Sequence, residues 1–402
     1  SMNLGIDISF LNTLEQKQGV HRYAIGLINE LSNLENLKIQ LYTNNKVYND
    51  ARKKFSSKNI QIYKIKNKYF FFKRIFEYFL FCFGLINVYF FKLHYVIINF
   101  FNRSNKDLIE SKSDIILFLN SQEIAYNFRI KTIINFHDLL HKKFPDFLSK
   151  KELVSREYSY HNSAKSADYL IASSLFMKKE FLNFYKFIKK DQVLIMREGI
   201  DKKLFNYKDA SNGRKIKFKN FLFYPAQLWK HKNHILLLKA FKEVSKKNKE
   251  LMLILCGSKK NNYTEVMEFI KKNNLIQKVK YLGNISQANL LYCYKKSLLV
   301  ILPSLYESSS LVALESIKMK KPIICSNIGP MTELKNEFKF IYFNAHSYTS
   351  LIHSIKFALK NKNKLRKYSL QNLNNLDNFS WNRTTEVLKK KLINLEKSLT
   401  KN

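Results

Sequence analysis

Cysteine is scarce in this chain, and its spacing excludes several classes of protein. Four cysteines in 402 residues form no CxxC pair: Cys82, Cys256, Cys293 and Cys325. Zinc-binding modules need closely paired ligands, which this sequence does not offer. Because most of these cysteines lie in or beside apolar runs, we expect buried free thiols and a reducing compartment.

Acidic residues are also few, since 31 of them face 70 lysines and arginines and leave a net charge of +39. Such an excess favours polyanions, either nucleic acid or an anionic membrane face. Lysine is spread along the whole chain, however, and no RNA-recognition motif or basic helix with heptads accompanies it. We therefore expect no nucleic-acid partner, and the anionic membrane surface remains the expected partner.

Short apolar runs alternate with amphipathic segments along the chain, a pattern that predicts an α/β fold with mostly parallel sheets. The first series of predicted strands reads LGIDIS, KIQLYT, DIILFLN, KTIINFHD, DYLIASS and VLIMREGI. After the polar stretch NYKDASNGRKIKFKN, the second reads FLFYPAQ, LMLILCGS, VKYLGNI, SLLVILPS, PIICSNI and KFIYFN. We expect two doubly wound domains, 1–200 and 201–378, with a ligand beyond the carboxyl ends of the strands in a cleft between them.

Residues 69–101 are dense in aromatic side chains and carry scattered charges, among them Lys73, Arg74 and Glu77. These charges argue against a transmembrane helix. An aromatic, basic segment lying in the membrane interface fits better, and a helix pair buried in the domain core is the alternative. No secretory leader pattern precedes the first predicted strand, so we expect a cytoplasmic protein held on the inner face of the membrane.

The stretch PSLYESSSLVALES, residues 303–316, places Glu307 and Glu315 eight positions apart. A buried strand precedes Glu307, three serines suited to helix capping follow it, and a helix then carries Glu315 one turn inside. A helix N-terminus after a strand is a typical anion site. The alternative is that Glu307 is a loop charge and Glu315 a solvated helix residue.

Other predicted strand ends also carry polar residues or glycine. In YPAQLWKHKNH the basic side chains crowd one turn, and Lys230 and Lys232 are cations suited to a diphosphate. Gly257 allows close approach of a ligand, Gly19 precedes the first helix, and His137 ends a strand. In a parallel sheet, the four strand ends of the second half would meet at one edge.

These motifs in this order resemble the retaining nucleotide-sugar glycosyltransferases of the GT-B fold, specifically family 4. The E-x7-E element is the most specific match, and YPAQLWKHKNH is similar to the donor-phosphate loop of bacterial surface-polysaccharide members. FHDLLHKKFPDF and ADYLIASS match the N-terminal domain. FSWNRTTEVL resembles a final helix, residues 379–402, that crosses back to that domain.

The resemblance implies roles for individual residues. Glu307 would lie beside the transferred sugar, Glu315 would accept hydrogen bonds from the ribose, and Lys232 would pair with the leaving phosphates. His137 would face the sugar, so the implied catalytic residues are Glu307, His137 and Lys232. The remaining implied donor-binding positions are Gly19, Gln227, Lys230, Gly257, Tyr281, Ile285 and the backbone N–H groups around Ser309, Ser310 and Leu311.

Two departures from the family pattern bear on the donor. Many relatives have arginine at the position of Gln227, so Lys230 or His231 would supply the missing charge. Many relatives also have glycine at the positions of Ser308 and Ser310. No DxD-like cation site is present, and we therefore expect a metal-independent enzyme without cofactor.

The resulting prediction is a retaining transferase that moves a hexose-type sugar from a UDP- or GDP-sugar to a lipid-linked or lipopolysaccharide acceptor. The alternatives are a GT-B epimerase and a non-catalytic basic protein that binds membrane or nucleic acid.

Overall fold

The computed structural model describes residues 2–14, 19–65, 103–120, 128–201, 205, 218–309 and 311–399. The chain divides into two compact units. Unit 1 comprises residues 1–197 and 385–402, and unit 2 comprises residues 198–384. The predicted membrane segment 69–101 and the predicted donor-binding residue Ser310 lie outside the described residues.

Unit 1 is built on a parallel sheet in the order β3-β2-β1-β4-β5-β6-β7. The strands are β1 (Met2–Asp7), β2 (Leu37–Thr43), β3 (Ile60–Lys64), β4 (Ile115–Phe118), β5 (Lys131–Phe136), β6 (Tyr169–Ala172) and β7 (Val193–Ile195). Four of them contain continuous runs of buried apolar residues, as expected for strands covered on both faces. The strand order reverses between β1 and β4, which is where ligands bind in doubly wound folds.

Helices accompany this sheet. They are α1 (Gly19–Leu31), α2 (Tyr48–Lys54), α3 (Arg103–Lys112), α4 (Leu140–Lys143), α5 (Lys150–Ser166) and α6 (Leu175–Phe184). The N-terminus of α5 is closed by a capping box, because the Ser149 side chain accepts from the Glu152 N–H and the Glu152 carboxylate accepts from the Ser149 N–H. That capping fixes where the helix begins.

Unit 2 repeats the architecture with a parallel sheet in the order β10-β9-β8-β11-β12-β13. Its strands are β8 (Phe221–Pro225), β9 (Met252–Cys256), β10 (Val279–Tyr281), β11 (Leu299–Leu302), β12 (Ile323–Ser326) and β13 (Ile341–Phe343). The predicted fold class, two Rossmann-like doubly wound domains, is confirmed.

The helices of unit 2 alternate with its strands. They are α7 (His234–Lys247), α8 (Tyr263–Lys272), α9 (Gln287–Lys296), α10 (Leu311–Lys318), α11 (Gly329–Glu333), α12 (Tyr348–Lys360), α13 (Lys362–Asn375) and α14 (Trp381–Thr384). The last helix, α15 (Glu386–Leu399), belongs to unit 1. There Lys389 Nζ lies 2.8 Å from Glu30 Oε1, and both side chains are largely buried.

Two local predictions need correction. Strand β3 was not predicted, because IQIYK is polar and half exposed and lacks the apolar run that marks the other strands. The C-terminal stretch was predicted as one helix, whereas the structure has α14 and α15 separated at Thr385. The break coincides with the passage from unit 2 to unit 1.

The thiol prediction is confirmed for Cys256, Cys293 and Cys325, which are free and buried. Burial raises the pKa of each thiol, that of Cys293 to about 12, so these groups stay protonated and unreactive. Within the described ranges, no helix has both the length and the apolar character needed to cross a bilayer.

Candidate functional site

The four polar strand ends of unit 2 follow β8, β9, β10 and β11, which are neighbours in the sheet. All their pairings are parallel, so the four carboxyl ends meet at one edge. The prediction that these turns converge is therefore confirmed. The site is built from the loops that leave this edge.

The loop after β8 makes a single turn of 3-10 helix at Lys230–Lys232 before α7 begins. Asn233 ends the turn in the left-handed region, with φ of 58°. Its side-chain amide donates to the carbonyl oxygens of Pro303 and Ala345, both at 3.0 Å. The first bond holds the basic turn to the loop after β11, and the second holds it to the loop after β13.

An ion pair connects the basic turn to the E-x7-E element. Lys232 Nζ lies 2.7 Å from Glu307 Oε1 and 2.8 Å from Oε2. The Ser304 hydroxyl donates to Glu307 Oε1 at 2.5 Å. The Lys232 and Glu307 side chains are about one-fifth exposed, which leaves the pair accessible from one side. The structure thus brings two of the three predicted catalytic residues together.

The loops after β8 and β9 lie against each other. Gln227 Oε1 accepts a hydrogen bond from Trp229 Nε1 at 2.8 Å, and Lys230 N donates to Asn261 Oδ1 at 3.1 Å. Gly257 adopts a φ of 139°, and a Cβ there would lie 2.4 Å from the Ala226 carbonyl oxygen. Glycine is required at this point because no side chain fits between the two loops.

The end of β10 lies at the same edge of the sheet, next to the end of β9. The Tyr281 hydroxyl donates to the Gly257 carbonyl at 2.7 Å, and its ring lies 5.6 Å from that of Tyr263. Gly283 has a φ of 65° and open space where a Cβ would stand. Ile285 is partly buried against the core of unit 2. Tyr281 and Ile285, two of the predicted donor-binding positions, flank this open glycine in sequence.

Glu315 is not a solvated helix residue, because it is 1 % exposed. Its Oε2 accepts a hydrogen bond at 2.8 Å from the hydroxyl of Tyr294 on α9, which is itself buried. The Tyr294 ring packs edge-on against Phe223 at 5.2 Å. A carboxylate this deep requires directed donors, and the tyrosine supplies one of them.

The segment before α10 contacts a third carboxylate, that of Glu198. The Ser309 hydroxyl donates to Glu198 Oε2 at 2.8 Å, and both residues belong to unit 2. Leu311 is the first residue of α10, so the predicted N–H groups of Ser309 and Leu311 stand at the start of that helix.

In unit 1, the predicted residues Gly19 and His137 lie on neighbouring elements. Gly19 begins α1, and Tyr23 on the same helix packs its ring edge-on against His137 at 5.5 Å. His137 Nε2 lies 2.7 Å from the carbonyl oxygen of Leu119. Because a carbonyl only accepts, Nε2 carries the ring proton. Burial lowers the pKa of His137, which favours the neutral ring.

Across the described residues, no group of three or more histidine, cysteine, aspartate or glutamate side chains is arranged to hold a metal ion. The cationic partner of Glu307 is Lys232. The metal-independent chemistry inferred from the sequence stays a prediction.

Comparisons with known proteins agree with this geometry. Residues 208–373 match the family described as "Glycosyl transferases group 1". The matched residues lie within the second unit, residues 198–384. Together with the relative and the two structures that follow, this match confirms the predicted resemblance to GT-B glycosyltransferases of the bacterial polysaccharide type.

One curated relative is the O-antigen chain mannosyltransferase B of Escherichia coli, 21% identical over 209 residues. The match covers 51% of this chain, and the chain spans only 55% of that protein.

Two solved structures share the fold over nearly the whole chain. Anabaena HepE in complex with UDP and glucose has a TM-score of 0.72 at 13% identity, covering 98% of this chain and 100% of its own. WaaG, described as a glycosyltransferase involved in lipopolysaccharide biosynthesis, has a TM-score of 0.66 at 12% identity, with 96% and 98% covered.

Four residues that contact the predicted site were not singled out from the sequence: Glu198, Tyr224, Tyr294 and Ser304. Tyr224 carries the one polar side-chain group in the apolar strand FLFYP, and this isolated hydroxyl was the available signal. Tyr294 and Glu198 gave none, because their partners are 21 and 111 positions away in sequence.

Proposed function

We propose that this chain is a retaining glycosyltransferase that moves a hexose-type sugar from a nucleotide sugar to a lipid-linked or lipopolysaccharide acceptor. The Lys232–Glu307 pair, braced by Ser304 beside the start of α10, is the observation that carries the proposal. It combines a cation for a leaving phosphate with a carboxylate for the sugar. Glu315 lies one turn further along the same helix.

The transfer requires the bond between the anomeric carbon and the donor phosphate oxygen to break. The acceptor oxygen attacks the same face of the sugar, and its proton passes to the leaving phosphate. The leaving diphosphate gathers negative charge in the transition state, where Lys232 and the N–H groups at the start of α10 would stabilise it. Glu307 would stabilise the positive charge that develops on the sugar ring.

Nucleotide sugars suit this site for two reasons. Four loops converge beside the fixed cation Lys232, and HepE, which shares the fold, is described in complex with UDP and glucose. A UDP- or GDP-sugar is the donor we propose, used without a metal cofactor. Lipopolysaccharide-type acceptors are supported by the descriptions of the mannosyltransferase and of WaaG.

The proposed location is the inner face of the bacterial cytoplasmic membrane, bound peripherally. The net charge of +39 favours an anionic lipid surface. Co-sedimentation with vesicles tests this part separately. Binding to vesicles containing phosphatidylglycerol that weakens with salt, without binding to neutral phosphatidylcholine vesicles, is the expected result, and equal failure with both vesicle types contradicts it.

The donor is tested first by thermal shift against UDP-, GDP- and dTDP-sugars, each with and without EDTA. A donor that binds the folded state raises the melting temperature by mass action. A shift with one nucleotide sugar that survives EDTA supports a metal-free donor site. Glu307→Gln should keep this shift and lose turnover, and the anomeric configuration of the product, read by NMR, tests retention.

Measurements of donor epimerisation and of DNA binding, added to the thermal-shift screen, separate the alternatives. Epimerisation of the donor without an acceptor would favour the GT-B epimerase. No shift with any nucleotide or nucleotide sugar, together with steeply salt-dependent DNA binding, would favour the non-catalytic basic protein. Either result contradicts the proposed transfer.

A further inference from the structure

Two buried hydroxyls lie beneath the loops that carry Lys232 and Glu307. Tyr224 on β8 and Ser304 after β11 are each 1 % exposed. Their hydroxyl oxygens are 3.3 Å apart, and Ser304 Oγ is 2.5 Å from Glu307 Oε1. The two side chains therefore connect the two strands that bear the proposed catalytic pair.

The direction of each hydrogen bond follows from the partners. A carboxylate only accepts, so the Ser304 hydroxyl donates to Glu307. The Tyr224 hydroxyl donates to the Lys232 carbonyl oxygen at 2.9 Å. Burial, with Glu307 nearby, raises the pKa of Tyr224 well above its ordinary value, so this hydroxyl remains a donor. Each hydroxyl has a single proton, and both protons are used in these two bonds, so the Tyr224 and Ser304 oxygens pack against each other at 3.3 Å without a hydrogen bond between them. Tyr224 therefore holds the backbone of Lys232, and Ser304 holds the carboxylate of Glu307.

Ser304 contributes something that Lys232 does not. Lys232 Nζ lies at nearly equal distances from the two oxygens of Glu307, and an ammonium group is a point charge with little directional preference. The serine bond reaches one oxygen alone. It therefore fixes the rotation of the carboxylate plane, which the ion pair leaves less constrained.

We propose that Ser304 is a positioning residue for Glu307, and that Tyr224 is a positioning residue for the backbone of Lys232. This inference rests on the proposed function, because the orientation of Glu307 affects a rate only if Glu307 acts on the transferred sugar. Tyr224 and Ser304 need no contact with substrate for this role. They act through the catalytic pair above them.

The test uses steady-state transfer kinetics on the full chain with Ser304→Ala, Glu307→Gln and the double variant. Loss of one hydrogen bond to a carboxylate should lower kcat about tenfold to a hundredfold. The KM for the donor should change less than about threefold, since the lost bond orients a group that acts in turnover. In the Glu307→Gln background the same serine change should lower kcat further by less than about threefold.

Unit 1 supplies a matched control. Tyr42 and Ser113 form a similar buried hydroxyl pair, 2.8 Å apart, outside the proposed donor site. Ser113→Ala and Tyr42→Phe should leave kcat unchanged. Tyr224→Phe, which removes the hydrogen bond to the Lys232 carbonyl, should lower kcat about threefold to tenfold. Ser304→Cys, a weaker donor of similar size, replaces Ser304→Ala in the comparison if the latter does not fold.

Several outcomes overturn the inference. It fails if Ser304→Ala changes kcat as little as Ser113→Ala does, or if Ser304→Ala raises only KM. It also fails if Ser304→Ala lowers kcat by the same factor in the Glu307→Gln background as in the wild-type chain. A wild-type chain that neither binds nucleotide sugars nor transfers sugar contradicts the proposed function, and the inference with it. That failure is visible before any variant is made.

Discussion

The two units hold their predicted site residues by different kinds of contact. In unit 2, Lys232 and Glu307 come from loops after adjacent strands and are joined by charge and by buried hydroxyls. In unit 1, His137 is held by the backbone carbonyl of Leu119 and by an aromatic neighbour, Tyr23. One set of residues is charged and fixed by side chains. The other is neutral and is fixed by uncharged groups, which include the side-chain amide of Asn135, 3.3 Å from His137 Nδ1.

The contrast matches the roles that the resemblance implies for Lys232, toward the leaving phosphates, and for His137, toward the sugar. A nucleotide diphosphate is anionic, and a lysine in a fixed position stabilises developing charge with little reorganisation. A neutral sugar is recognised by uncharged donors and acceptors, for which a histidine of lowered pKa is suited.

Removing the charge of Glu307 should have the largest effect. Glu307→Gln keeps the size of the side chain and an acceptor for Ser304, but loses the ion pair with Lys232. We expect kcat to fall about a hundredfold or more, because the group acts on charge that develops in the transition state. Steady-state kinetics with the donor found by thermal shift measure this change.

The exposed Glu243–Lys246 pair, at 2.7 Å on α7, is the matched control for that experiment. Glu243→Gln removes a similar ion pair from the same unit, away from the proposed site, and should leave kcat unchanged. Equal kcat values for Glu307→Gln and Glu243→Gln would show that Glu307 is not a catalytic residue.

Changing Glu315 should affect donor binding more than turnover. Glu315→Gln retains an acceptor for the Tyr294 hydroxyl but weakens hydrogen bonds from a ribose, since charge-assisted bonds are about twice as strong as neutral ones. We expect the donor Kd to rise about tenfold with little change in kcat. Calorimetric titration measures Kd, and a fall in kcat at constant Kd would exchange the roles of the two glutamates.

Acidification should destabilise both units through one buried histidine each. Burial lowers the pKa of His141 in unit 1 and of His234 in unit 2 to about 3. Because the unfolded chain binds these protons near pH 6.5, stability falls as the pH drops from about 6.5 toward 3. At pH 5 the loss is about 2 kcal/mol for each residue.

Urea unfolding at pH 7.5 and pH 5.0, with each transition fitted separately, measures this loss. His141→Gln and His234→Gln should each reduce the pH sensitivity of the unit that contains it. The exposed His346→Gln is the control and should leave the pH sensitivity unchanged. A variant with unaltered pH dependence would show that the corresponding histidine is not buried in its neutral form.

The strands were predictable wherever burial on both faces left a continuous apolar run. That condition holds for β8 and β11, and their parallel pairing then brings the predicted polar turns to one edge. It fails for β3, a five-residue edge strand in which apolar and polar residues alternate. Such alternation predicts a half-buried strand, so the signal was present, but a search for continuous apolar runs does not detect it.

Within the site, the glutamates and lysine were found from their residue types at strand ends, but their pairing was not. Lys232 and Glu307 lie 75 positions apart, and only the β8–β11 adjacency brings them into contact. The resemblance implied that the lysine pairs with the leaving phosphates and that the glutamate lies beside the sugar, but it implied no bond between the two side chains. Side-chain contacts across loops depend on three-dimensional packing, which local patterns do not encode.

The smallest expected effect concerns Glu198, and its sign is informative. Ser309→Ala removes a hydrogen bond to the Glu198 carboxylate from the segment that precedes α10. Such a bond, in a half-exposed position, is worth about 1 kcal/mol, so we expect donor Kd to rise about fivefold. Glu198→Gln retains the bond and removes a negative charge from the region proposed to hold a diphosphate. Donor Kd should therefore fall, by about threefold at most.

The control is Glu265→Gln, an exposed glutamate in the first turn of α8 in the same unit, which should leave Kd unchanged. A rise in Kd for Glu198→Gln would mean that the carboxylate binds a hydroxyl of the sugar directly. Glu198 would then contribute to sugar binding beside Glu307, and its negative charge would favour donor binding instead of opposing the phosphates.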